Sequence, residues 1–219
     1  MAESERIDRL ADRLIAAIPN LDPGEQTVAV ALIRMLAKGE PVSEQALATA
    51  LGVPESRIQE AVGAWPGVFR DDDQRIIGFM GLSAVEFGDH RVEVDGRTLT
   101  AWCAWDTLFL PELLGETAQV TSRCPTTRGQ ISLTVSNDGP REVQPAGAVL
   151  SFRAPRRQFD ADVVRSFCRF VHFFASEHAA AEWIAQNPDT FTLSIDDGYR
   201  LGQLTNEAAF GTALSNVAA

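Results

Sequence analysis

The sequence predicts an α+β protein: an N-terminal winged-helix-like helical module over residues 1–80, packed on a domain of antiparallel sheets and helices over residues 81–219. Two observations predict this. Up to about residue 65 the apolar residues recur at helical spacing, and from about residue 80 they fall in short runs that alternate with polar residues.

The N-terminal elements come in order. Ile7, Leu10, Ala11, Leu14, Ile15 and Ile18 obey the i, i+3, i+4, i+7 rule, giving an amphipathic helix that ends before Pro19. A second helix follows Pro23 and Gly24, with Val28, Leu32, Met35 and Leu36 inward and Gly39 as its stop. Ser43 caps a third, which carries Leu47 and Leu51 and closes at Gly52. Pro54 opens a fourth, with Ile58, Val62 and Trp65 inward. Val68 to Arg70 and Ile76 to Phe79 then flank an acidic turn, Asp71 to Asp73, as a hairpin.

Helices followed by a hairpin make a winged helix-turn-helix, whose usual partner is DNA. Here the would-be recognition helix, Pro54 to Ala61, sets one basic residue against two acidic ones, and the wing carries three aspartates. Phosphates would be repelled. The module is therefore expected to be a structural cover, with no nucleic acid as partner.

In the second region, Val85 to Phe87 and Val92 to Val94 read as a hairpin around Gly88 and Asp89. A short helix holding Cys103 and Asp106 is expected next, ending near Pro111. Ala118 to Ser122 and Ile131 to Val135 are alternating strands, Ala148 to Phe152 is another, and Phe170 to Phe174 reads as a buried one. Trp183 with Ile184, and Leu201 to Leu214, read as closing helices.

The formal net charge is −11, which argues against extended contact with nucleic acid and favours solubility. Three cysteines cannot complete a disulfide set, and their spacing matches no zinc pattern. The N-terminus lacks a secretory apolar core, and no run approaches the ~18 apolar residues that span a bilayer. A cytoplasmic protein with reduced thiols and no membrane partner is expected.

The chemistry centres on Cys103 and Asp106, three residues apart in a tryptophan-rich stretch, and on Cys168 within another aromatic stretch. On a helix, i and i+3 share a face, so thiol and carboxylate would meet. A carboxylate is a poor activator for a nucleophilic thiol, because its charge raises the thiol pKa. The pairing suits binding a soft metal while moving a proton. His172, four residues after Cys168, invites a Cys–His protease reading, but on a strand residues four apart are ~13 Å apart, too far to bond.

Leu36 to Ser43, Thr98 to Asp106, Ser132 to Ser136, Val143 to Gly147, and Ser166 to Cys168 with Val171 to Ser176 form an ordered series of stretches. In that series the chain resembles the bacterial organomercurial lyases (alkylmercury lyases). The resemblance implies that Cys103 and Cys168 are the catalytic cysteines, Asp106 the catalytic aspartate and Cys124 a structural cysteine. Arg169 stands where some members carry an additional cysteine. It also implies that residues 81–219 form the catalytic domain, and that the N-terminal module packs on it without reading DNA.

The activity that the resemblance implies is carbon–mercury protonolysis, giving a hydrocarbon and Hg(II) held by Cys103, Cys168 and an Asp106 oxygen. No organic cofactor is implied. Exogenous thiols would remove Hg(II), or a mercuric reductase would take it, and the chain is expected to be a monomer. Trp102, Trp105, Leu108, Phe167 and Phe170 are candidates to pocket the alkyl or aryl group, with the two tryptophans reading first as core. The alternative is a winged-helix thiol-based metalloregulator that senses Hg or As through Cys103 and Cys168. A third reading, a mercury-storage protein, would bind Hg(II) and leave C–Hg bonds intact.

Overall fold

Asp22 and Ser43 start two of the four N-terminal helices, α1 (Glu3–Ile15), α2 (Pro23–Leu36), α3 (Glu44–Leu51) and α4 (Glu55–Ala64). The Asp22 carboxylate accepts from the Glu25 N–H and the Glu25 carboxylate from the Asp22 N–H, both at 2.9 Å, a reciprocal capping box. Ser43 Oγ accepts from the Ala46 N–H at 3.1 Å, and Gly52 at φ 64° closes α3. The computed structural model describes residues 3–215.

The wing, β1 (Phe69–Arg70) and β2 (Ile76–Phe79), forms as expected but does not stand apart. It continues into β3 (Leu82–Ser83), β4 (His90–Val94) and β5 (Arg97–Ala101), then β6 (Ala118–Arg123), β7 (Gln130–Ser136) and β8 (Gly139–Gln144). These make one eight-stranded antiparallel sheet in the order β1-β2-β3-β5-β4-β6-β7-β8. A second sheet, β10-β9-β11, comprises β9 (Val149–Arg153), β10 (Phe173–Phe174) and β11 (Thr190–Ser194). The helices of this half are α5 (Asp106–Leu114), α6 (Val163–Ser166), α7 (Glu177–Gln186) and α8 (Ile195–Ser215), with a single 3₁₀ turn at Cys168–Phe170.

Three expectations are corrected. Val85 to Phe87 is not a strand; the hairpin is β4 with β5, turned at Asp95 (φ 49°) and Gly96 (φ 71°). A two-residue Asp-Gly turn has the twist that joins antiparallel strands, and the Ser83 and Thr100 hydroxyls hold the Val85 carbonyl at 2.8 Å in place of a ladder partner. Of Phe170 to Phe174 only the last two residues are strand. The expected helix stop at Pro111 also fails: α5 runs on to Leu114 and closes at Gly115, φ 75°. Nearly every residue of α5 is buried, so packing outweighs the one backbone bond that Pro111 forfeits. Strands β3, β5, β8 and β11 have no counterpart in the sequence reading; β8 (GPREVQ), half of it exposed, carries no apolar alternation.

Helix α8 is the strut of the molecule, packing on α1, α2 and α5. It can approach α5 because Gly198 and Gly202 lie one turn apart on that face. A Cβ at Gly202 would sit 2.7 Å from Phe109 Cβ, and one at Gly198 would sit 2.9 Å from Leu108 Cδ1. Gly202→Ala gains about 1 kcal/mol of helix propensity but overpacks a rigid contact, at a cost of about 1–3 kcal/mol. A net loss of stability is expected in a denaturant titration, and an unchanged or raised midpoint would show that α5 and α8 have room to part.

Candidate active site

Strand β5 delivers the chain to the site. After Ala101, the Trp102 N–H donates to the Gly81 carbonyl at 2.8 Å and the backbone turns inward. Cys103 lies in this turn, before α5 and not on it, which corrects the expected helical placement. Asp106 is the first residue of α5, and its Oδ2 accepts from the Cys103 N–H at 2.7 Å. The two side chains therefore meet by an Asp–backbone bond that closes the turn, not by sharing a helix face.

Cys168 comes from the far side, in the 3₁₀ turn after α6. Two sets of bonds hold it. The Ala104 N–H donates to the Val171 carbonyl at 3.1 Å, stitching the two cysteine segments together. Ser151 on β9 clamps the segment that leads into β10: its hydroxyl donates to the Phe170 carbonyl and accepts from the His172 N–H, both at 2.9 Å.

The result is a buried triad. The Cys103 and Cys168 sulfurs and an Asp106 oxygen all lie within 4.8 Å of one another, the one such cluster of three potential metal ligands among the described residues. Their exposures are 1%, 3% and 4%. Burial pushes the Asp106 carboxyl up from 3.8 to about 7, although hydrogen bonds from the Cys103 thiol and N–H pull it down. Burial, the hydrogen bond to Cys168 and the Asp106 charge raise the Cys103 thiol well above its ordinary range. At Cys168 the hydrogen bond with Cys103 lowers the pKa, but burial and the Asp106 charge outweigh it, so this thiol is raised too. Near neutral pH the site thus holds two protonated thiols beside a carboxyl whose charge burial opposes.

An apolar cavity of about 70 Å³ opens beside this cluster, bordered by Cys168 and Asp106. That is several times the ~10–15 Å³ needed by one water. Of the five candidates, Trp102, Trp105 and Phe167 border it, the tryptophans against their first reading as core; Leu108 and Phe170 do not. Leu108 is fully buried behind the wall, and Phe170 faces a separate surface groove. The loops after α1 and α4 and the end of the wing supply Ile18, Leu21, Trp65, Phe79 and Met80. These went unseen in the sequence because an apolar residue that lines a cavity reads the same as one that fills a core.

Gly81 was also missed, and it touches the chemistry. In the β2–β3 turn both Met80 (φ 47°) and Gly81 (φ 86°) are left-handed, and a Cβ at Gly81 would lie 2.5 Å from Asp106 Cγ. A Met-Gly pair between two apolar runs was the available signal.

The remaining candidates lie elsewhere. His172 is not on an extended strand with Cys168; its Nε2 donates to the Arg169 carbonyl at 2.8 Å. The protease reading fails for that reason. Cys124 is fully buried in the β6–β7 loop, outside the cluster. Burial raises its pKa, but hydrogen bonds from the Thr127 hydroxyl and nearby backbone outweigh this and lower it.

Residues 84–206 match the family model for alkylmercury lyase, and residues 7–80 match that for the helix-turn-helix domain of alkylmercury lyase. The chain belongs to the alkylmercury lyase family. It is an organomercurial lyase, an enzyme that cleaves the carbon–mercury bond of organomercurials. An alkylmercury lyase of Pseudomonas putida is 42% identical over 178 residues, covering 81% of this chain and 82% of its own. One of Staphylococcus epidermidis is 39% identical over 172 residues, 78% of each chain. A solved structure of the mercury-bound form of MerB2 shares the fold at TM-score 0.75 and 24% identity, over 94% of this chain and 99% of its own. These relatives give no support to a metalloregulator. No helix among the described residues is long and apolar enough to cross a membrane.

Two outcomes are expected of this lyase. Gly81→Ala should fold but push Asp106 out of register, because the new methyl overlaps the carboxyl and the φ is left-handed. Hydrocarbon release should fall at least ~10-fold, as a misplacement of about 1 Å can cost ~100-fold, while normal turnover would show that the wing turn yields freely. The second concerns stability. Folded Asp106 keeps its proton up to about pH 7, whereas the unfolded chain loses it near 3.8. Between those values the folded state binds more protons, so stability falls as pH rises. Asp106→Asn should lose that part of the slope and melt higher than the parent at pH 8. Parallel melting curves for parent and variant from pH 4 to 8 would contradict the buried charge.

Proposed function

We propose that Cys103, Cys168 and Asp106 perform the protonolysis, with the two sulfurs holding mercury and the carboxyl moving the proton. The observation that carries this is the convergence of two sulfurs and one carboxyl oxygen within 4.8 Å beside an apolar cavity. Mercury is soft and prefers thiolate sulfur. A departing carbanion needs a proton at carbon while mercury gains electron density, and this set offers both.

Cys168 borders the cavity and Cys103 does not, so Cys168 takes R-Hg(II) first, releasing its own proton. Asp106 then accepts the Cys103 proton, for which its pKa of about 7 suits it at neutral pH. The Cys103 thiolate adds to mercury. Asp106 returns the proton to carbon, the C–Hg electron pair becomes the new C–H bond, and Hg(II) stays on both sulfurs beside an Asp106 oxygen. The balance is R-Hg(II) plus two thiols giving R-H, a bis-thiolate Hg(II) and one proton. No organic cofactor enters.

On the same reading residues 81–219 form the catalytic domain and residues 1–80 a winged-helix module that serves it as roof and pocket wall. The enzyme works in the cytoplasm as a monomer, and exogenous thiols or a mercuric reductase take the Hg(II). The mercury-bound form of the MerB2 structure is consistent with mercury held at this site.

The test is single-turnover hydrocarbon release beside stoichiometric mercury binding. Cys103→Ser and Cys168→Ser should each nearly abolish release, since a hydroxyl is a hard, protonated ligand. Asp106→Asn should fold and still capture mercury through two sulfurs, with release slowed roughly 10²–10⁴-fold. Near-normal release in either cysteine variant would exclude a two-sulfur mechanism, and failure of Asp106→Asn to bind mercury would make the carboxyl a ligand and not a relay.

A further inference from the structure

The chain carries a net charge of −11, yet between residues 153 and 169 five arginines face only two aspartates. Four of them, Arg153, Arg156, Arg157 and Arg165, line a surface groove of about 400 Å³, a size suited to a small molecule. Arg156 and Arg157 are already neutralised by ion pairs with Asp189 and Asp160. Arg153 and Arg165 have no carboxylate partner among the described residues. The Arg153 guanidinium lies 4.3 Å from the centre of the Phe170 ring, and Arg165 is exposed.

The groove adjoins the reaction site. Phe159 and Phe167, with ring centroids 5.1 Å apart, border both the groove and the cavity, and the next residue is Cys168. Two unpaired guanidiniums on an otherwise acidic surface select an anion, and a concave site of this size selects a small one.

We infer that this groove binds the small, carboxylate-bearing thiol that removes Hg(II) from the enzyme. This rests on the reading of Cys103 and Cys168 as the holders of Hg(II). The carboxylates pair with Arg153 and Arg165, and the sulfur enters past the Phe159–Phe167 wall on the Cys168 side. Each incoming thiol forms one Hg–S bond as one Cys–Hg bond breaks, and its proton passes to the cysteine sulfur released. Two such exchanges restore both cysteine thiols and yield a mercury bis-thiolate, with no change of oxidation state.

The test uses the full-length enzyme with excess organomercurial and three thiols at matched thiolate concentration: mercaptosuccinate, neutral 2-mercaptoethanol and cationic cysteamine. The single-turnover burst reports bond cleavage, and the steady rate after it reports removal of Hg(II). Half-maximal steady turnover should need roughly tenfold less mercaptosuccinate than 2-mercaptoethanol, the size expected of two exposed charge pairs. That preference should shrink with added salt. The Arg153→Gln/Arg165→Gln double variant should lose it with the burst intact, and Arg165→Glu, at an exposed position, should lose or invert it even if the double variant folds poorly. Equal use of anionic and neutral thiols by the parent enzyme, or variants that slow both thiols alike, would overturn the groove assignment. A parent enzyme with no burst would instead overturn the two-cysteine reading beneath it.

Discussion

The desolvation of the Asp106 carboxylate is the constraint on which this enzyme turns. A charge in an apolar interior is costly unless it finds hydrogen bonds or a proton, and Asp106 has both. The Cys103 N–H and thiol hold it, and its pKa of about 7 lets it alternate between charged and neutral forms at physiological pH. The same burial raises both thiols above their ordinary range, and in the proposed mechanism it is a soft metal that replaces their protons. Stability and reactivity are thus set against each other in one group.

Holding that group in place takes more of the fold than its neighbours in sequence. The Cys103 turn is tied to Val171 by one backbone bond and to Gly81 by another, so the first cysteine segment is fixed to the second and to the wing turn together. Ser151 fixes the segment just beyond Cys168 from the second sheet. Behind the cluster, Trp105 packs edge-on to Phe109, Phe152 and Phe167 and donates its indole N–H to the Gly198 carbonyl at 3.0 Å. Helix α8, brought close by its glycines, thereby supports the floor of the site.

In the proposed function the winged-helix architecture serves the site, and the contacts it makes fit that role. Its wing strands are the edge of the main sheet, the β2–β3 turn after the wing lies against Asp106, and the loops that join its helices roof the cavity with apolar side chains. The acidity that makes this module unsuited to phosphate has no bearing on its inward face, which is apolar. Phe69 of the wing packs edge-on against Trp102 at 4.9 Å, joining the two regions within the wall of the site.

The sequence by itself determined the helical N-terminus, the wing, most strands of the second region and the three residues of the cluster. Those features rest on local rules: periodicity, capping side chains such as Ser43, and short ordered stretches around Cys103 and Cys168. It did not determine how Cys103 and Asp106 meet, because a turn closed by a side-chain-to-backbone bond has the same i, i+3 spacing as a helix face. Nor did it show that Leu108 is core while Trp65 and Met80 line the cavity, since hydrophobicity alone does not distinguish a filled space from an empty one. The need for glycine at residue 81, the stitch from Ala104 to Val171 and the raised Asp106 pKa all come from segments distant in sequence packing around one point. Only the tertiary structure decides such things, because desolvation and steric overlap depend on every atom nearby and on no single stretch of chain.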